Sequence, residues 1–191
     1  MFKFFISICL LCIGFSSFSQ NRKIDTTLKI GKTGYRVFCT NKNLEKNPLS
    51  IRPIGFENTA RDIDLMMKGR ITKAEIDDFN NDGFPDLVVY VFSGEKGEMG
   101  SVFAIASSEN KTYLPIVFPD IRDDDKLHEG YRGYDDFSLL EGTLMRRFPI
   151  YKKDDTADKP TGGKRVIQYQ AIPGDRGALK FKVVHTYDLK E

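Results

Sequence analysis

The sequence predicts an all-β protein, built as an antiparallel β-sandwich or a partly closed barrel. Helical periodicity is weak after residue 20. Two almost wholly apolar runs, LVVYVF at Leu87–Phe92 and SVFAIAS at Ser101–Ser107, are joined by a short glycine-rich stretch. Turn residues recur roughly every ten positions, the spacing of many short strands in a sandwich or barrel. The chain has 191 residues, enough for one core but short for two, so residues 20–191 are expected to form a single β domain. Trp is absent, but 15 Phe and 8 Tyr can fill the interior.

Residues 1–19 are read as a secretory signal peptide. Lys3 precedes the apolar run FFISICLLCIGF, which is shorter than a membrane span, and small residues at Ser17 and Ser19 suit cleavage before Gln20. Cys9 and Cys12 lie inside that run rather than at a lipidation point. An exported chain is therefore expected in the periplasm or outside the cell, with no membrane attachment after cleavage. Loss of Lys3 lowers the formal net charge from +2 to +1. Such a weak field implies neither nucleic acid nor anionic membrane as partner. Cys39 then stands alone in the strand-like run YRVFC, so it is expected to be a buried, inert thiol.

Along the chain, Thr26–Ile30 and Tyr35–Thr40 read as strands parted by the turn GKTG. NKNLEKNPLS reads as a loop, and Pro48 and Pro53 bracket LSIR as an edge strand or none. ARDIDLMMKGR fits a helical turn or an irregular strand. Arg70–Ile76 alternates, and LVVYVF is expected to be a buried central strand paired through SGEKGEMG with SVFAIAS as a hairpin. NKTYLPIVFPDI gives a further strand, then residues 122–136 form an acidic Gly/Tyr-rich stretch. Phe137–Leu144 reads as one strand and MRRFPIY as a strand broken by proline. A polar loop, KKDDTADKPTGGK, leads to the strands Arg165–Ala171 and Leu179–Tyr187.

The most specific local motif is D-x-N-x-D-G-x-x-D at residues 78–86. Side-chain oxygens of Asp78, Asn80, Asp82 and Asp86, with the Phe84 carbonyl, are spaced to ring a calcium ion, and Gly83 permits the turn. Val89 occupies the position where an EF-hand has its bidentate Glu, and a strand follows, so an EF-hand is excluded. The same residue types also make a metal-free turn. Catalytic constellations are sparse. After the signal the histidines are His128 and His185, and neither has a Ser, Cys or zinc-ligand pattern beside it. The acids at 123–125 read as a solvated loop, and the expectation is a binding protein rather than an enzyme.

DFNNDGFPDLVVYVFSG, GSVFAIASSENKTYLPIVFPDI, YRGYDDFSLLEGTLMRRFPIY and TGGKRVIQYQ, in that order, resemble the periplasmic inhibitors of I-type (invertebrate) lysozyme over residues 70–171. The resemblance implies a β-sandwich-like fold, an envelope location, a homodimer and a loop that enters the muramidase cleft. In that loop Ser93 and Gly94 match the family's Ser-Gly-Ser-x-x-Tyr pattern. Glu95 replaces the second Ser, and Met99 is the nearest bulky residue in place of Tyr. Two glutamates in a cleft that works with two carboxylates would be repelled, whereas Lys96 could pair with one of them. Tyr131 and Arg132 are expected as companions at the binding face. The competing reading is a calcium-stabilised adhesion or scaffold module centred on residues 78–86.

Overall fold

The computed structural model describes residues 23–57 and 59–190, so the expected signal segment lies outside the described residues. The architecture is all-β, with twelve strands in two sheets among the described residues. The first sheet holds β1 (Ile24–Ile30), β2 (Thr33–Cys39), β3 (Lys46–Ile54) and β4 (Ile63–Lys68) as an antiparallel meander. The second is eight-stranded and nearly closed into a barrel. One half comprises β5 (Arg70–Asp77), β6 (Asp86–Ser93), β7 (Met99–Ser108) and β8 (Thr112–Val117). The other half comprises β9 (Asp136–Leu140), β10 (Thr143–Pro149), β11 (Lys164–Pro173) and β12 (Leu179–Leu189). Its order is β5-β6-β7-β8-β12-β11-β10-β9. Every pairing is antiparallel except β8 with β12, which run parallel and meet at Leu179↔Ile116 and Lys180↔Val117. The only α-helix among the described residues is α1 (Asp125–His128), far too short to cross a membrane.

β6 shows why two layers form. Its odd residues Leu87, Val89 and Val91 face the first sheet, while Val88 and Tyr90 face the barrel interior. All five are nearly inaccessible to water. Inside the barrel they join Ile167, Tyr169, Leu144, Phe148 and Phe181. Outside it, Tyr35, Val37, Leu49 and Ile51 of the first sheet cover β5–β7. The Tyr35 hydroxyl, buried in this second core, donates to the Pro85 carbonyl at 2.8 Å. Cys39 is fully buried there, and burial pushes its thiol pKa up.

The first sheet passes into the barrel at Gly69. Its backbone has φ of +118°, and a Cβ there would come within 2.5 Å of the Phe92 carbonyl oxygen. Two buried asparagines fasten this corner. Asn41 accepts from Ile71 N at 2.9 Å and donates to Ile71 O at 2.6 Å, and Asn47 donates to Gly69 O at 2.8 Å. The far edges of the large sheet approach each other where Gly142 N donates to Asp77 Oδ2 at 2.9 Å, and where Phe137 of β9 packs on Tyr90 and Phe92 of β6.

Three segments differ from expectation. β3 is an inner strand of nine residues despite its prolines. Pro48 lies past the last β2 pair and Pro53 past the last β4 pair, so each missing N–H can fall where no ladder partner stands. Residues 63–68 form β4, in which Ile63, Leu65 and Met67 face in; the exposed Met66 disguises the alternation. Phe137–Leu144 is two strands rather than one, because Glu141 and Gly142 turn the chain with positive φ into the β9–β10 hairpin. Pro149 ends β10 instead of breaking a strand.

Leu87→Ala would open a void in the seam between barrel and first sheet. The expected loss is about 2–5 kcal/mol of unfolding free energy. A urea melt with an unchanged midpoint would show that the first sheet does not rest on this strand.

Candidate partner-binding site

β6 and β7 pair from Leu87↔Ile105 to Ser93↔Met99, leaving Gly94–Glu98 as the hairpin tip. Gly94, Glu95 and Lys96 are exposed, and Glu98 and Met99 are half-buried. Within the tip, Gly97 N donates to Gly94 O at 3.2 Å. Glu98 folds back, its Oε2 accepting from Lys96 N at 2.9 Å. The leading edge of the tip therefore carries Glu95 and Lys96, one charge of each sign. From behind, Tyr134 N donates to Glu98 O at 2.6 Å, and Ser93 Oγ donates to Met99 O at 3.4 Å.

The root of this hairpin is held by a buried ion pair. Asp135 Oδ2 accepts from Gly100 N at 2.7 Å and from the Tyr131 hydroxyl at 2.6 Å. Its Oδ1 accepts from Arg146 Nε at 2.6 Å. Arg146 Nη2 donates to the Tyr131 hydroxyl at 2.8 Å and to Gly100 O at 3.3 Å. Both backbone groups of Gly100 are thus bonded to one ion pair whose side chains are 3% and 0% accessible. Only glycine fits there, since a Cβ would stand 2.6 Å from that of Asp135. The guanidinium is ringed by Tyr131, Phe137, Phe118 and Phe148, with ring centres 5.1–5.8 Å from its carbon. Burial alone would draw the Arg146 pKa down, but the Asp135 carboxylate more than offsets it and holds the group above its ordinary value. Burial likewise raises the Tyr131 hydroxyl pKa.

Tyr131 and Arg132, expected side by side at a binding face, are sent in different directions. Tyr131 is buried and its hydroxyl belongs to the ion pair. Arg132 is exposed but braces the loop after β10, donating to Asp155 O at 2.8 Å and Lys152 O at 3.2 Å and lying 4.9 Å over the Tyr151 ring. Ser93, Gly94, Glu95, Lys96 and Met99 do lie together, at the tip and its root. An open groove of about 690 Å³ runs beside them, lined by Leu44, Glu45, Lys46 and Lys68. The alternation Leu144–Arg146–Phe148 was the sequence signal for the buried arginine, because it puts a cation in phase with two core residues.

The loop at 78–86 is a set of side-chain-to-backbone turns. Asp78 accepts from Asp82 N and Gly83 N at 3.0 and 2.8 Å. Asp82 accepts from Phe84 N at 2.9 Å, and Asn80 Nδ2 donates to Asp82 Oδ2 at 2.9 Å. Asp86 points inward, with Oδ1 accepting from Ser107 N and Oδ2 from Phe79 N, both at 2.8 Å. Burial raises its pKa to about 7, against the effect of those two amides. With both oxygens bonded to the fold, Asp86 stands apart from Asp78, Asn80, Asp82 and the Phe84 carbonyl as a cation donor. Among the described residues, no group of three or more His, Cys, Asp or Glu is placed to hold a metal.

Compared with protein-family models, curated proteins and solved structures, the chain matches none.

Removing one member of the buried pair strands the other. Asp135→Ala and Arg146→Met are each expected to cost about 3–5 kcal/mol. The double variant should cost clearly less than the sum, measured by urea unfolding of all four proteins. Strict additivity would show that the pair is not coupled.

Proposed function

We propose that this is an exported binding protein that inserts the Gly94–Glu98 tip into the active-site cleft of a muramidase, in the periplasm or outside the cell. The observation that carries the reading is the contrast between an exposed tip and a root fixed at Gly100 by a buried ion pair. A tip stiffened before contact loses little conformational freedom on binding. Its leading edge suits a cleft of two carboxylates better than the bare sequence suggests. Glu98 is turned back, so Lys96 can approach a catalytic acid while Glu95 lies beside it. The groove next to the tip offers the cleft rim the side chain of Leu44, itself 48% exposed. The likeness of residues 70–171 to I-type lysozyme inhibitors, including Ser93-Gly94, points to the same class of target and to a homodimer.

Mixing the purified protein at micromolar concentration with I-type, chicken-type and goose-type lysozymes should slow the clearing of a cell-wall suspension by at least one of them. Undiminished lysis by all three refutes the proposal. Lys96→Ala should weaken the inhibition by about tenfold or more, the scale of a close charge pair at an interface, and leave the melting temperature unchanged.

We further propose that a structural calcium ion sits on Asp78, Asn80, Asp82 and the Phe84 carbonyl. Binding to the native state raises stability by linkage. The melting temperature should therefore be higher in millimolar calcium than in chelator, and identical melts in the two would rule out the site.

A further inference from the structure

A cavity of about 360 Å³ opens at the end of the barrel where β6 leaves and β7 enters. We propose that it is a binding site for a small organic acid that carries one carboxylate on an apolar body. The inference does not rest on insertion of the hairpin tip into a cleft, although Ser93 and Met99 at the tip's root line the cavity.

The charge of the cavity is the first argument. Arg146, Lys68 and Arg122 line it, and Asp120 is the acid among the lining residues. Asp135 stands behind Arg146 and neutralises one cation. One positive charge is left over, which matches a single carboxylate. Arg122 is held on Asp120 through Nε at 3.0 Å, so Lys68 is the lining cation without an ion pair among those found for the described residues.

Placement of the charges is the second argument. Arg146 bonds to Asp135, Tyr131 and Gly100 through Nε and Nη2, and its guanidinium also reaches the Tyr169 hydroxyl. The field of the guanidinium reaches the cavity mouth. Asp120 has its pKa lowered to about 2, chiefly by Arg122 and in smaller part by Arg146. An anion beside Lys68 would meet a cation without an ion pair among the described residues, with the guanidinium of the neutral Arg146–Asp135 pair lining the same cavity.

The walls supply the third argument. Met99, Phe118, Pro119 and Ile121 give an apolar side, and Ser93 and Ser101 give hydroxyls near the opening. The volume lies at the lower end of the range for small-molecule sites. An apolar body of one ring or a short chain fits such a space, whereas a bare inorganic anion would leave those walls uncovered.

The test is a titration of the ¹⁵N-labelled protein with benzoate, acetate and benzamide. Benzoate should shift the Gly100 and Ser101 amide resonances saturably. Acetate, with almost no apolar body, should bind more weakly, and neutral benzamide should produce no saturable shift. Lys68→Gln should weaken benzoate binding by about fivefold, the upper range for one partly exposed charge pair, and Lys68→Arg should restore it. Lys96→Gln, on the tip, should leave it unchanged. No saturable shift with benzoate at tens of millimolar, an equal response to benzamide, or full affinity in Lys68→Gln would each overturn the proposal. None of these results bears on inhibition by the tip, so the two readings fail separately.

Discussion

β6 carries apolar side chains on both faces, and burying both requires a layer on each side. The barrel interior takes Val88 and Tyr90, and the first sheet covers Leu87, Val89 and Val91. A strand hidden in this way cannot slip by one residue without exchanging the contents of two cores. Register is therefore fixed along β6, and the exchange carries through its ladders to β5 and β7. The hairpin tip inherits that register. Ser93 and Met99 face each other because Leu87 and Ile105 do, six residues back. The position of the exposed residues Gly94–Lys96 is thus decided deep inside the protein.

The Arg146–Asp135 pair adds a polar constraint to this apolar one. Taking both charges out of water is costly, and an apolar pair of similar volume is often as stable. What the pair provides is directional bonding. Asp135 and Arg146 between them bind the N–H and the C=O of Gly100, and no apolar side chain could do that. They also join three distant pieces of chain: the start of β7, the segment before β9, and the middle of β10. The aromatic ring around Arg146 excludes water and gives the cation favourable quadrupole contacts in exchange. We read the pair as a device for placing the hairpin root rather than for raising overall stability.

Much of the fold was legible in the sequence because the signals were local. The buried central strand, its glycine-rich hairpin, the alternation of β11 and the all-β class follow from period-two patterning and turn residues. What escaped depends on neighbours remote in the chain. Prolines 48 and 53 look like strand breakers until the staggered ends of the flanking ladders are known. Tyr131 beside Arg132 looks like a surface pair, but the partners of Tyr131 are Asp135 and Arg146, and the second lies 15 positions away on β10. Asp86 completes an oxygen-rich motif by spacing, yet its place at the start of a buried strand turns it toward Phe79 and Ser107. In each case the residue type was informative and the direction of its side chain was not. The groove and cavity near the tip were invisible for the same reason, since Lys68, Phe118 and Arg146 meet only through the closure of the sheet.

The parallel contact of β8 with β12 sets the mechanics of the barrel wall. Two residue pairs are the whole ladder between the half made of β5–β8 and the half made of β9–β12. Elsewhere the ladders run five to ten pairs. Along this seam, cohesion comes from the rings of Phe118, Tyr169 and Phe181. Few backbone bonds need break for the staves to part there, so breathing of the wall and solvent admission to the interior can start on this line as well as at the unladdered gap between β5 and β9.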